Sequence, residues 1–332
     1  MFYCERYLLI CSTIAVLLFS GGKTSAQTLS TEELMTKEIS MAAGTDTLYG
    51  TLTDPLLCRG GRGDCVVLII AGSGPTDRDC NNNTGMKSNT YKYLAEELYA
   101  KGIACFRYDK RGIGKSTRNL KEAQYTIDLY IQDASMWAKK LQMDYKRVFL
   151  LGHSEGALIA SAVAVSSKKV SGVISIAGVG RKMDIVLKEQ LSYLPINIKE
   201  RLYSIIDSLS QGNKVENVPG LFNSLFRKSV QPFLISTFRL SPTDLISRLE
   251  QPLLIIQGDK DIQVSVADAQ LLHNSNPKSE LVIIKDMNHV LKQIESTDKV
   301  LQLKSYYDAK SPIVNEVVIN IAKFIDNKGR HR

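Results

Sequence analysis

Histidine is scarce in this chain. The 332 residues carry four, His153, His273, His289 and His331. They are widely separated, and neither an H-x-x-x-H nor a C-x-x-C spacing occurs, so no set of metal ligands is evident. Charge is not concentrated either. Lys and Arg number 42 against 34 Asp and Glu, a net +8. The basic residues are scattered, with no long basic block and no alternation of basic and aromatic residues, which argues against nucleic-acid binding. Internal repeats and low-complexity tracts are missing. One glycine-rich loop follows a strand-like run, but it does not read G-x-x-x-x-G-K-[ST], so it is not a nucleotide-binding loop. Neither a metal nor an organic cofactor is expected.

Long apolar runs are missing too. The longest, Tyr7 to Phe19, is broken by Ser12 and Thr13 and is shorter than the roughly 20 residues a membrane-spanning helix needs. Arg6 precedes it, and Thr24-Ser25-Ala26 follows. Charged, apolar, small is the order of a secretory signal, here spanning 1–26 with cleavage after Ala26; a retained membrane anchor is the alternative. Cleavage leaves no stable anchor and places the protein in the periplasm or outside the cell. No cysteine follows closely enough for a lipoprotein signal. Cys58, Cys65, Cys80 and Cys105 then lie in an oxidising compartment. Cys58 and Cys65 flank Arg59 to Asp64, a flexible turn, and either bridge or remain free thiols.

What is present is an alternation of strands and helices. Glu38-Ala42 and Leu48-Leu52, separated by Gly44-Thr45-Asp46, read as an antiparallel hairpin. Cys65 to Ala71 is a continuous apolar run, as expected of a strand buried on both faces. Tyr91-Ala100 is helical, Ile103-Tyr108 is a strand and Tyr125-Gln142 is a long helix. Val148 to Leu151 is a strand, Ala157 to Ala160 begins a helix, and Val170-Ala177 is a strand. From Arg181 to Glu250 apolar and charged residues recur at helical spacing and no long β-branched run appears. Alternation resumes with strands at Pro252-Gln257 and Leu281-Lys285 and helices at Val266-Leu272 and Ile313-Ile325. This implies a doubly wound, mostly parallel sheet with an N-terminal hairpin. The core runs over 27–180 and 251–332, and residues 181–250 form an inserted helical cap.

In such sheets sites form at the carboxyl ends of strands. There the chain places Gly152-His153-Ser154-Glu155-Gly156, a G-x-S-x-G between strand and helix. In that context the serine sits on a sharp turn with its hydroxyl exposed, and the glycines admit neighbouring backbone. A serine hydroxyl is a poor nucleophile unless a base removes its proton and a third group holds the base. His153 lies inside the turn, His331 in the charged tail, and His273 ends a helix. His289, in a loop just after the last strand, is the base this leaves. For the acid, Asp261 stands in Gly258-x-x-Asp261-x-x-Val264, while Asp259 reads as a turn residue bonding its own backbone. The loop Gly72-Ser73-Gly74-Pro75-Thr76-Asp77-Arg78-Asp79 offers backbone N–H groups to a developing oxyanion. Asp109 and Arg111, in the loop after the Ile103-Tyr108 strand, read as an ion pair that steadies that loop.

From about residue 48 onward the chain resembles serine hydrolases of the α/β-hydrolase fold. Within these it is similar to bacterial esterases and acyl-peptidase-like proteins with a G-S-G-P-x-D-R-D loop. The resemblance rests on that loop, on Asp109-Lys110-Arg111-Gly112-Ile113-Gly114-Lys115-Ser116, on the serine elbow, and on the Asp261 and His289 segments, all in order. It implies Ser154 as nucleophile, His289 as general base, Asp261 as its orienting acid, and the N–H groups of Ser73 and Glu155 as the oxyanion hole. Two departures stand out. Cys80 occupies a position where such loops usually have glycine, and Asn288 one where glycine or alanine often precedes the histidine.

The expected function is that of an exported hydrolase acting on a small-molecule ester of short to medium acyl length, through an acyl-serine. A serine peptidase using the same groups, with Glu189, Arg201 or Arg239 anchoring a peptide terminus, is the second reading. A non-catalytic binding protein on the same scaffold is the third.

Overall fold

The computed structural model describes residues 34–56 and 63–329. The expected signal segment, Cys58 and His331 lie outside these residues. Eight strands form one sheet in the order β1-β2-β4-β3-β5-β6-β7-β8. β1 (Thr36–Ala43) and β2 (Asp46–Thr53) make the N-terminal hairpin, with Ala43 opposite Asp46. β2 runs antiparallel to β4 (Ala104–Tyr108), with Gly50 opposite Tyr108. β3 (Gly63–Ile70), β5 (Tyr145–His153), β6 (Gly172–Ile176), β7 (Leu253–Gly258) and β8 (Glu280–Ile284) continue in parallel.

The apolar runs form strands because both faces are covered. Val66, Leu68 and Ile70 join one core with Val148, Leu150, Leu253 and Ile255, while Val67 and Ile69 join the other with Phe149, Leu151, Leu254 and Ile256. Helices α2 (Ile127–Leu141) and α3 (Glu155–Ser166) cover the first face, where Trp137 packs on Phe106 at 4.5 Å between ring centres. Helices α1 (Thr90–Ala100) and α11 (Asn315–Gly329) cover the second. Each fully buried aliphatic side chain contributes about 1.5–3 kcal/mol relative to exposure, so continuous burial on both faces outweighs the low helix or strand preference of any single residue.

The chain runs from β3 outward to β4, then back across β3 to β5. This reversal opens a crevice at the carboxyl ends of β3 and β5, where such folds bind ligands. Between β6 and β7 lie α4 (Met183–Gln190), α5 (Ile196–Ser210), α6 (Asn223–Phe226), α7 (Gln231–Phe238) and α8 (Pro242–Ser247), and α9 (Val266–Ser275) follows β7. Most of this segment has its own apolar cluster, including Leu187, Leu202, Ile206, Phe226 and Phe238. A helix that periodicity did not reveal, α10 (Lys299–Tyr306), follows β8; Asp298 caps it by accepting from Val300 N–H and Leu301 N–H at 3.0 Å. Among the described residues no helix is long and apolar enough to cross a membrane.

One expectation is corrected. Asp109 and Arg111 do not pair with each other. Arg111 reaches Asp133 at 2.6 and 2.8 Å and Asp46 at 2.8 Å, all buried, tying the hairpin to α2. Asp109 instead holds Arg78 at 2.7 and 3.0 Å. On extended backbone residues two apart would share a face, but the chain turns at Arg111 and Gly112, so the two side chains diverge and each has a distant partner. Removing one member of a buried ion cluster leaves uncompensated charge, at a cost of about 3–5 kcal/mol. Arg111→Met should therefore lower the urea midpoint sharply, and adding Asp46→Asn and Asp133→Asn should recover part of the loss; equilibrium unfolding of the three proteins checks this.

Candidate active site

The turn after β5 is set by two close approaches. A Cβ on Gly152 would lie 2.1 Å from the Gly156 carbonyl oxygen, and one on Gly156 would lie 2.2 Å from that of Ile70. Only glycine fits either place. Packed this tightly, the chain turns at Ser154 with φ 55° and ψ −121°, a conformation that costs a non-glycine residue roughly 1–3 kcal/mol. Ser154 N–H donates to the Ile176 carbonyl at 2.9 Å and its own carbonyl accepts from Ala157 N–H at 2.9 Å. The half-buried Ser154 lies at the head of α3.

Asp261 and His289 meet. Nδ1 of His289 lies 2.7 Å from Oδ2 of Asp261. The other carboxylate oxygen accepts from Gln263 N–H at 2.7 Å and Val264 N–H at 3.0 Å, and Gln257 Nε2 donates to Oδ2 at 3.1 Å. Burial by itself would raise this carboxyl, but the His289 imidazole and the backbone N–H groups outweigh it and hold the carboxyl below its usual range. Asp261 thus stays an anion. Asp259 does not bond its own turn; its Oδ1 accepts from Asp286 N–H at 2.7 Å, which pins the next loop.

The His289 loop is built around Asn288, 1% exposed, whose Oδ1 accepts from Val290 N–H at 3.1 Å and Lys292 N–H at 3.0 Å. Its Nδ2 donates to Ser305 Oγ at 2.7 Å. Glycine or alanine there could do neither. Ser154 and His289 line a common small cavity of about 30 Å³ with Ser73, Cys80, Met86 and Val290. Among the described contacts no hydrogen bond joins the Ser154 hydroxyl to His289. Such bonds are often loose until a substrate is bound.

His153 lies beneath His289. Its Nε2 is 2.8 Å from the His289 carbonyl and its Nδ1 is 2.9 Å from Tyr91 Oη. Burial, then the neighbouring His289, pushes its pKa down to about 3. It is neutral, so Nε2–H donates to the His289 carbonyl and Nδ1 accepts from Tyr91. Tyr91 Oη in turn accepts from Gly72 N–H at 3.1 Å. One buried chain of hydrogen bonds therefore runs from the loop after β3 to the His289 backbone. His273 is elsewhere, its Nδ1 2.8 Å from Ser279 Oγ.

The Gly72 loop is stapled along its length. Arg78 binds Asp109, Arg107 binds Asp79 at 2.8 Å, and Asp77 accepts from Asp79 N–H and Asn81 N–H at 2.9 and 2.8 Å. Cys80 has φ 72°, the conformation glycine adopts at no cost, so the loop keeps a glycine-like path with a cysteine in it. Among the described residues Cys65, Cys80 and Cys105 form no disulfide with one another. Among the described residues no group of three or more His, Cys, Asp or Glu could hold a metal.

Above Ser154 lies a larger cavity, of about 170 Å³. Ser73 and Glu155 line it beside Ser154, and Met183, Val186, Phe233 and Leu234 wall it from the helical segment. Burial raises the Glu155 carboxyl, opposed by the charge of Lys110. The expected peptide anchors do not reach this space. Glu189 pairs with Arg181, Arg239 pairs with Asp128 at 2.5 Å, and Arg201 is exposed on α5. None of the three lines the cavity.

Comparison with known proteins follows the same lines. A family model described as serine aminopeptidase, S33, matches residues 84–227, less than half of the chain. An esterase of Thermotoga maritima, EstD, is 26% identical over 275 residues, covering 78% of this chain. The match spans only 61% of that esterase's own length. A proline iminopeptidase of Saccharolobus solfataricus is 24% identical over 256 residues, 67% of this chain and 81% of that protein. Est1E of Butyrivibrio proteoclasticus, solved with ferulic acid bound, superposes with a TM-score of 0.60 at 17% identity, covering 88% of this chain and 99% of that one. The fold is that of an α/β hydrolase.

The neutral His153 has a consequence for stability. In the unfolded chain it takes a proton below about 6.5, but in the folded protein only near 3. Its contribution is complete above pH 6.5 and is lost as pH falls, by roughly 1.4 kcal/mol per pH unit across that window. Denaturant titrations from pH 7 to pH 4 should show this slope, and His153→Gln, whatever its absolute stability, should show a flatter one.

Proposed function

We propose that the protein is an exported serine hydrolase cleaving carboxylic esters through an acyl-serine. Ser154 Oγ attacks the acyl carbon as His289 takes its proton. Asp261 holds the ring by Nδ1 and stabilises the imidazolium. The N–H groups of Ser73 and Glu155 stabilise the oxyanion, each worth on the order of 100- to 1000-fold in rate. His289 returns the proton to the departing alkoxide, then activates the water that frees the acid. One observation carries this reading: the imidazole of His289 is fixed by an ionised, four-donor Asp261 while lining the same cavity as Ser154. Residues 181–250 serve as a cap, whose apolar wall suits a short to medium acyl group. Export is supported by the order of residues in segment 1–26.

The serine aminopeptidase model and the iminopeptidase relative favour a peptidase as second reading. The leaving group separates the two. It must lie beside His289 to receive its proton. The cavity His289 lines, about 30 Å³, has room for about two waters, since each needs at least 10–15 Å³. A one- or two-carbon alcohol suits that space.

Ethyl butyrate hydrolysis, followed by titrating the released acid, should exceed that of aminoacyl anilides, and Ser154→Ala should abolish it, by about 10⁶-fold in kcat. Anilides cleaved faster than the ester would favour the peptidase. A folded protein that neither turns over the ester nor reacts with a fluorophosphonate probe would be a binding protein.

A further inference from the structure

Lys110 follows β4 and is 4% exposed. Its ammonium donates to the carbonyl of Gly72 at 2.5 Å and to that of Gly74 at 2.8 Å. They belong to the two residues on either side of Ser73. In a planar trans peptide the C=O of one residue and the N–H of the next point in opposite directions. Gripping the Gly72 carbonyl therefore sets the direction of the Ser73 N–H, away from the ammonium. Tyr91 holds the other peptide of Gly72 through its N–H at 3.1 Å. Gly72 is then fixed from both sides.

Such fixing is needed here. Gly72-Ser73-Gly74 is a stretch where two glycines allow the peptide planes to turn freely, Gly74 having φ 81°. A donor that must reorient when charge develops gives much of its benefit back, whereas one held in place beforehand does not. The Lys110 ammonium also brings a positive charge to this wall of the cavity, facing Glu155.

We propose that Lys110 is the positioning residue of the oxyanion hole, acting through the Gly72 carbonyl to aim the Ser73 N–H. This rests on the ester-hydrolase reading. Lys110→Met keeps the length and apolar stem and removes the donors. It should lower kcat by about tenfold to a hundredfold, with KM within about threefold of wild type. Affinity for an alkyl boronic acid, which becomes tetrahedral on Ser154, should fall in parallel, while inhibition by the carboxylate product stays unchanged. A merely structural lysine would lower the folded fraction, read by fluorophosphonate titration, or move KM and product binding with kcat. Adding Glu155→Gln tests whether Lys110 only neutralises that carboxyl; the kcat loss should persist in the double variant.

Wild-type kcat in Lys110→Met, a loss matched by the folded fraction, or recovery in the double variant each overturns the proposal. If Lys110→Met does not fold, Lys110→Gln, with a donor too short to span both carbonyls, carries the test, and wild-type kcat in it overturns the proposal equally. Absence of ester turnover in the wild-type protein would instead overturn the reading on which the proposal rests.

Discussion

The close approach of α3 to the end of β3 is the constraint on which the site depends. Gly156 stands against the carbonyls of Ile70 and Ala71 with no room for a side chain. That contact brings the elbow beside the loop that begins at Gly72. It also forces the strained backbone of Ser154, whose cost is met by the burial of β5 and α3 in two apolar layers. A looser fit at Gly152 or Gly156 would let Ser154 relax to ordinary dihedrals and withdraw its hydroxyl from the cavity. Geometry at the serine is thus a property of core packing, not of the serine.

Buried hydrogen bonds carry that precision outward. The chain Gly72, Tyr91, His153, His289 crosses from the loop after β3 to the loop after β8 without a charged group. A charged histidine at 153 would lose its acceptor role toward Tyr91 and break the chain. Burial prevents this by keeping the ring neutral far below ordinary pH. Asp261, by contrast, is buried and ionised because four donors converge on it. Two groups with similar burial are driven to opposite charge states by what surrounds them, which is how an acid and a neutral spacer coexist within one site.

Much of this was legible in the sequence where the signal is local. Strands buried on both faces read as unbroken apolar runs, and G-x-S-x-G between strand and helix marks a turn by its glycines. Asp261 stood out through the turn of Gly258 to Val264, whose N–H groups do bond it. What escaped was pairing across distance. Arg111 with Asp46 and Asp133, Asp109 with Arg78, and Asp259 with the Asp286 backbone join residues 22 to 65 positions apart. No periodicity encodes such partners; they follow from which loops the sheet order brings together. Lys110 and Tyr91 were missed for the same reason, a lysine in a charged loop looking like any solvated one. Helix α10 was missed because its signal was only a capping aspartate before a mixed, short segment.

The division of the molecule into two packing units bears on how substrate selection relates to the proposed chemistry. Ser154, Asp261 and His289 sit on loops whose strands belong to the two layers of the sheet. Much of the opposite wall, including Val186 and Leu234, belongs to a segment with its own cluster around Leu202, Ile206 and Phe226. Packing transmits shape changes most strongly within a close-packed unit. Changes in the helical segment can therefore reshape the wall without moving the elbow or the His289 loop. Contacts that cross between the units include the ion pairs of Arg227 with Glu122 and of Arg181 with the buried Asp268, the ring contact of Phe233 with Tyr130, and Ile246 and Leu249, which join the core of the sheet. The ion pairs fix orientation, while the cost of desolvating their charges offsets much of their attraction. A site divided this way can alter what it accepts while its hydrogen-bonded reacting groups stay in place.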